Sequence, residues 1–535
     1  MPGITSRVQA RTEEYNEFPI TGPFGGIQSE LPSTEIEQLG FQDSPNILYR
    51  KGVAYVRPSY TVLPSLPDGN PALGIADFYT SSGSHVQVAL TKAHIYQWNG
   101  SGWNAALTGA AFAGTNQIWG WDVVGQKLCF SQGTDPIWYW DGITAGYTAT
   151  TGPASANLAE IALHLVALNT IEGGVSHPQR YHWSGVGDPT DWTSISSGIN
   201  DNLNNLGPGT AITKLGQYGF GWHFNGIVQI QPTGIGTAPF FFTPIVSCSI
   251  GNIGSKSLAR FNRDGAEQAA FTSYDNVYVF NQSSLIPIGD APLDGRRRVG
   301  ARSRIIADIA AGGASNSFGF VTVSINAQPF NAYWLIIPGV STWVYNFDES
   351  NWTVFLWDRT AQVAGNFYKS AVPRIMDLVG QILAQNWTPA TLVGTNPFQG
   401  FAIGFADGTT GYIDFTNYSE SAWSITGPKH TFQDVRHKHS AKKFRMRVLD
   451  LGQVTYTITV SNNFGQFVTR NLTIGSGSGD VLSAVVEFNI SGLRLQWKVS
   501  GPAGAPGAMV EFCLMADESG EQAGGSKDES TIVVS

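Results

Sequence analysis

I-Y-Q-W-N-G at 95–100, I-W-Y-W-D-G at 137–142, R-Y-H-W-S-G at 180–185 and G-W-H-F-N-G at 221–226 are four versions of one phrase. Their closing aromatics are Trp98, Trp140, Trp183 and Phe224, so the steps are 42, 43 and 41 residues. Each phrase reads as the end of a strand running into a tight turn. Asn-Gly and Asp-Gly favour two-residue hairpins, because both central positions need positive φ. Alternating aromatics before the turn put one face of the strand on a core. A hairpin recurring every 40–45 residues or so is the period of four-stranded propeller blades. Wedge-shaped gaps between blades give the large side chains a purpose. The spacing leaves open whether the fourth hairpin joins the same strand pair as the first three.

Beyond 226 the beat loosens. V-Y-V-F-N-Q at 277–282 and V-Y-N-F-D-E at 344–349 keep the aromatic followed by Asn or Asp, at wider intervals that imply insertions. F-A-I-G-F-A-D-G-T-T-G-Y-I-D-F at 401–415 reads as the last blade, for about six or seven blades in all. The expected fold class is therefore all-β: a propeller over 73–415 with insertions, after an extended segment at 1–72 that docks on neighbouring subunits or on a platform. Residues 416–520 read as a further antiparallel β-domain. V-T-Y-T-I-T-V at 454–460 and L-R-L-Q-W-K-V at 493–499 alternate strictly there. A flexible tail is expected at 521–535, and one short helix near 33–39.

Composition agrees. Of 535 residues 62 are Gly, 12% are aromatic and only 13% are charged. Disorder needs low hydrophobicity and high charge, and long helices or coiled coils need more Glu, Lys and Arg. A net charge of −9 counts against a surface that clamps DNA, since phosphate neutralisation supplies most of that affinity. Cys129, Cys248 and Cys513 are far apart and read as buried small hydrophobes, with neither a disulfide framework nor a zinc site. The opening 21 residues lack an apolar h-region, so no secretory signal is expected, and no run of about 18 apolar residues suggests a membrane span.

The search for chemistry returns little. No G-x-S-x-G, H-E-x-x-H, G-x-x-x-x-G-K-[ST] or strand-following G-x-G-x-x-G occurs. A glycosidase would need two carboxylates converging on the propeller axis, which spacing alone does not identify. His430, His437 and His439 lack a fixed third ligand and read as a solvated basic loop. No catalytic residue, metal site or cofactor is expected. Two basic clusters stand out as candidates for a DNA channel or a subunit interface. One is Arg296, Arg297, Arg298, Arg302 and Arg304; the other is Arg436, Lys438, Lys442, Lys443, Arg445 and Arg447. In the second, K-F-R-M-R-V alternates charge with apolar groups, which suits an edge or interface strand facing an acidic partner.

R-Y-H-W-S-G-V-G-D-P-T-D-W-T at 180–193 resembles a signature of phage tail hub, nozzle or packaged-DNA stabilisation proteins. G-P-F-G-G-I-Q-S-E-L-P at 22–32 and D-S-P-N-I-L-Y-R-K-G-V-A-Y-V-R-P-S at 43–59 look like the opening segment of the same family. The resemblance covers about 20–60 and 90–195. Within it Arg180, Trp183, Asp188, Pro189, Asp191 and Trp192 are structural: the aspartates suit turns that bond their own backbone, and the tryptophans pack the hairpin. The resemblance implies a virion structural protein made in the host cytoplasm. Six copies would form a ring below the portal and adaptor proteins, extend the channel for double-stranded DNA, help retain the genome, and carry fibres, spikes or a needle. The alternative is a receptor- or glycan-binding propeller, or one that cleaves glycans.

Overall fold

The computed structural model describes residues 16–522 except 37–39, 105, 113, 202–204, 264, 293–297, 326–327, 369–399 and 432–436. The chain forms two compact units, Arg57–Ser421 and a second made of Met1–Val56 with Ala422–Ser535.

The first unit is a β-propeller with seven blades among the described residues, the second and third joined into one sheet where Ala154 pairs with Ile171. Three strands from Gly74 to Gln97 make the first blade. The second to sixth blades have four strands each and start at Gly120, Asn157, Gly209, Ala259 and Phe318. The seventh takes three strands from its own region, Ala361–Phe367, Gly400–Phe405 and Thr410–Tyr418. Its fourth is Pro58–Leu63, from the start of the unit, with Tyr60 opposite Ile413 and Leu63 opposite Thr410. That pairing closes the ring. A clasp lies beside it: Arg57, fully buried, donates to Glu420 and to the carbonyls of Pro58 (3.0 Å) and Leu356 (3.1 Å). Its guanidinium also stacks 4.0 Å over Trp357, and Glu420 accepts from Ser59 Oγ at 2.7 Å.

Aromatics fill the gaps between blades. Phe78 meets Trp119 and Trp140 between the first and second blades, and Tyr181, Trp183 and Phe240 lie between the third and fourth. Trp222, Phe271 and Phe280 lie between the fourth and fifth, and Trp98, Phe367 and Tyr412 between the seventh and first. Each fully buried side chain of this size is worth roughly 1.5–3 kcal/mol.

The phrases at 95–100, 137–142 and 180–185 end the third strand of the first three blades. The fourth does not. Residues 221–226 join the second and third strands of the fourth blade, so Phe224 is exposed while Trp222 is buried. The turns also differ from the expected two-residue hairpin. Asn99, Asp141 and Asn281 each accept two backbone N–H groups with one side-chain oxygen, at 2.8–3.2 Å. Only the glycines among Asn99-Gly100 and Asp141-Gly142 have positive φ. In the fourth blade Thr233 takes this place, accepting from Ile235 N at 3.0 Å.

The second unit is two packed sheets. Trp497 of the Arg494–Gly501 strand stacks on Phe512 of the Ala508–Gln522 strand at 4.9 Å. The N-terminal residues are part of this core, which differs from the arm expected over 1–72. Asn16–Thr21 pairs with Ala508–Gln522, and Phe24, Phe41 and Tyr49 join the aromatic cluster around Phe512. Residues 58–63, also assigned to that arm, belong to the propeller. Of the short helix expected near 33–39, residues 33–35 form a turn, and 37–39 lie outside the described residues. The α-helix among the described residues is Arg302–Gly312, with Ile305 and Ile309 buried one turn apart. No helix is long and apolar enough to cross a membrane among the described residues.

Candidate functional site

The 180–193 segment is built as a rigid loop. Arg180 grips Asp201 with Nε (2.7 Å) and a terminal nitrogen (2.9 Å) and reaches Glu172 at 3.0 Å. Asp188 Oδ1 accepts from the backbone and hydroxyl of Thr190 and pairs with Lys127 at 3.3 Å. Asp191 Oδ1 accepts from Thr193 and Ser194 N–H groups, both at 3.0 Å. These donors hold both carboxyls below their ordinary range despite the opposing cost of desolvation. Trp192 donates to Pro189 O at 2.9 Å and packs between the second and third blades; Trp183 donates to Ser196 O at 3.1 Å. The aspartates bond backbone N–H groups two and three residues on, and the tryptophans pack.

Of the basic clusters, Arg296, Arg297 and Arg436 lie outside the described residues, as does the side chain of Arg298. Arg302 pairs with buried Asp290 at 3.4 Å, and Arg304 lies 5.4 Å from the ring of Trp343, both on the helix. In the second cluster the alternation holds: Phe444, Met446 and Val448 are buried while Lys443, Arg445 and Arg447 turn outward. The strand, His437–Leu449, is however interior, between Ala508–Gln522 and Val481–Gly492, and not an edge. Its acidic partner is within the chain. Glu511 receives Arg445 at 2.9 Å and Arg447 at 3.2 Å, Glu17 lies 3.4 Å from Arg445, and Lys442 is 3.8 Å from Asp517. Lys438 and Lys443 lie on the same strand.

The histidine group is likewise not a solvated loop. His430 sits in the Trp423–Thr431 strand against Phe18, ring centroids 4.9 Å apart, and burial pushes its pKa down to about 4. His439 is buried on a strand facing the core. No cluster of three or more metal-ligating side chains exists among the described residues. All three cysteines are buried and free, and burial raises each thiol pKa.

What the sequence did not single out is the propeller axis. The innermost strands of all seven blades line a cavity of about 330 Å³. Their inner edges approach closely at glycines. A Cβ on Gly120 would stand 1.9 Å from Ala156 O, and one on Gly365 2.5 Å from Ile75 O. Lys256, just before the fifth blade, reaches across to donate to Ala156 O beside the third, and burial lowers its pKa to about 7. Asp122 accepts from Glu160 N (2.7 Å) and Val123 N (2.8 Å); burial nevertheless raises its pKa, against those donors and the charge of Arg260. Asp77 meets His85 at 3.2 Å. Glu160 and Lys214, on neighbouring innermost strands, pair at 2.7 Å. Arg260 faces the cavity with no direct hydrogen bond or ion pair among the described residues.

No protein-family model matches the sequence, and no curated protein does. Among solved structures, BBS1N in complex with ARL6DN is similar over 66% of this chain and 97% of that one, at 9% identity and a TM-score of 0.39. An exo-beta-1,3-galactanase from Phanerochaete chrysosporium aligns with 86% of this chain and 99% of its own, at 10% identity and TM-score 0.27. A glycoside hydrolase family 43 arabinoxylan arabinofuranohydrolase from Bacillus subtilis aligns with 91% and 97%, at 11% identity and TM-score 0.24. Scores this low carry no argument about activity. The propeller rests on its own strand pairings.

Proposed function

We propose that this chain is a non-catalytic virion structural protein, a ring-forming hub or nozzle subunit of a short phage tail. The observation that carries the reading is the 180–193 segment. Its sequence resembles that family, and its polar side chains close on their own loop or on neighbouring strands, as a scaffold requires. In this reading six copies surround a common axis below the portal and adaptor proteins, help retain the packaged genome and carry fibres, spikes or a needle. The DNA duplex then runs between subunits, because the axial cavity of a single propeller, about 330 Å³, has room for a small molecule and not for a duplex. The ion-paired members of the basic clusters, Arg302, Arg445 and Arg447, are not needed for that path. Native mass measurement of the purified chain tests it. A closed ring, six copies in the simplest case, is expected; a chain that stays monomeric at high concentration and in the presence of its neighbouring virion proteins contradicts it.

A glycan-binding or glycan-cleaving propeller is the second reading, favoured by the polar axial cavity. Cleavage would ask Asp122 and Asp77 to act as an acid and base pair. Asp122 has both oxygens occupied by backbone N–H groups and Asp77 has one on His85. Saccharide hydrolysis abolished by Asp122→Asn would establish this reading over the first.

A further inference from the structure

The charged groups at the propeller axis are unequally matched. Asp122 is held by two backbone N–H groups, Asp77 by His85, and Lys256 by a carbonyl. Arg260, an exposed residue lining the cavity, has no direct hydrogen bond or ion pair among the described residues, although it lies near enough to Asp122 for the two charges to interact. Asn366, on the seventh blade's innermost strand, lines the same cavity without a hydrogen bond from its amide among the described residues. The charged donor of Arg260 is thus the unmatched one, while Asp122 is engaged through both oxygens and Asp77 through one. Arg260 is exposed where it lines the cavity, so its guanidinium keeps its donors open, and the group that matches them best is a planar or tetrahedral oxyanion, which accepts two parallel N–H bonds. At about 330 Å³ the cavity stands at the small end of ligand sites, near 300 Å³.

We propose that this axial cavity binds a small oxyanion, a carboxylate or phosphate group on a molecule no larger than a monosaccharide, with Arg260 as its principal contact. Lys256 and Asn366 supply further donors from other blades, so the site exists only when the ring is closed. The inference stands apart from the tail reading: a ring can assemble whether or not the cavity is filled.

Isothermal titration of the full chain with inorganic phosphate and, separately, glucuronate at low ionic strength tests it and distinguishes the two sources. Saturable binding of at least one is expected, weakened about tenfold or more in Arg260→Gln. Arg260→Lys should give an intermediate loss, keeping charge without the fork. Arg494→Gln, an exposed arginine of the other unit, should bind as the parent does. Circular dichroism of each variant separates loss of the site from loss of the fold, and Asn366→Leu provides a second route should Arg260→Gln fail to fold. No saturable binding of either anion in the millimolar range overturns the proposal. So does binding that Arg260→Gln leaves unchanged.

Discussion

The two units treat arginine in opposite ways. In the two-sheet unit Arg445 and Arg447 converge on the nearly buried carboxylate of Glu511, and Glu17 adds a further negative charge. In the propeller Arg260 lines a cavity with no direct partner among the described residues, and the carboxylates around it are engaged by backbone N–H groups or histidine. A closed network holds strands together, whereas an open guanidinium held by a rigid ring keeps its donors for something else. The propeller has its own closed network at Arg57, so the contrast belongs to position and not to the unit as a whole.

That contrast can be broken in several places. Arg57→Ala should have the largest effect, about 4 kcal/mol, because it leaves Glu420 without its counter-charge beside the ring-closing strand. The propeller's unfolding transition, followed by calorimetry, should fall while the other unit's holds. Glu511→Gln should cost less, about 2 kcal/mol, because both arginines keep some access to water. Its effect should appear only in the two-sheet transition. Asp141→Ala removes the acceptor for two turn N–H groups and should cost about 1 kcal/mol in the propeller.

Two buried bases sharpen the comparison through pH. Burial lowers the His430 pKa from 6.5 to about 4, so between these values the unfolded chain binds the proton and the folded chain does not. The two-sheet unit should therefore lose stability on acidification from pH 6.5 towards 4, and His430→Phe should flatten that loss. Lys256 works at the other end. Its pKa falls from 10.5 to about 7, so the cost of charging it in the fold is present below pH 7 and fades as pH rises towards 10.5. Melting curves should show Lys256→Met gaining most over the parent near pH 6 and least near pH 10. The smallest effect is expected at Arg260, where replacement by Gln should change stability by less than about 0.5 kcal/mol, because no direct contact is lost. A large destabilisation there would make Arg260 structural and erase the contrast.

Much of the propeller was legible because its packing is local in sequence. Trp98, Trp140 and Trp183 end third strands and recur at the length of a blade. The fourth phrase misled because Phe224 lies within a different turn, just after the strand that carries Trp222, while Thr233 caps the equivalent one without an aromatic-Asn signal. The place of the N-terminal segment was not legible, since Asn16 pairs with Ala516, a partner that no local pattern announces. The axial site left no trace for a related reason. S-K-S-L-A-R at 255–260 carries no motif, and only in the fold do strands from 74 to 367 close around it. The 180–193 loop was the opposite case, since Asp188, Asp191 and Trp192 all act within a few residues of themselves.

The assignment as a ring-forming tail subunit is tested most directly by electron cryomicroscopy of an intact particle carrying the protein. A ring of seven-bladed propellers around the tail axis, with the duplex passing between subunits and none entering a propeller, is the expected density. Single propellers on peripheral appendages, or no copies on the axis, would contradict it.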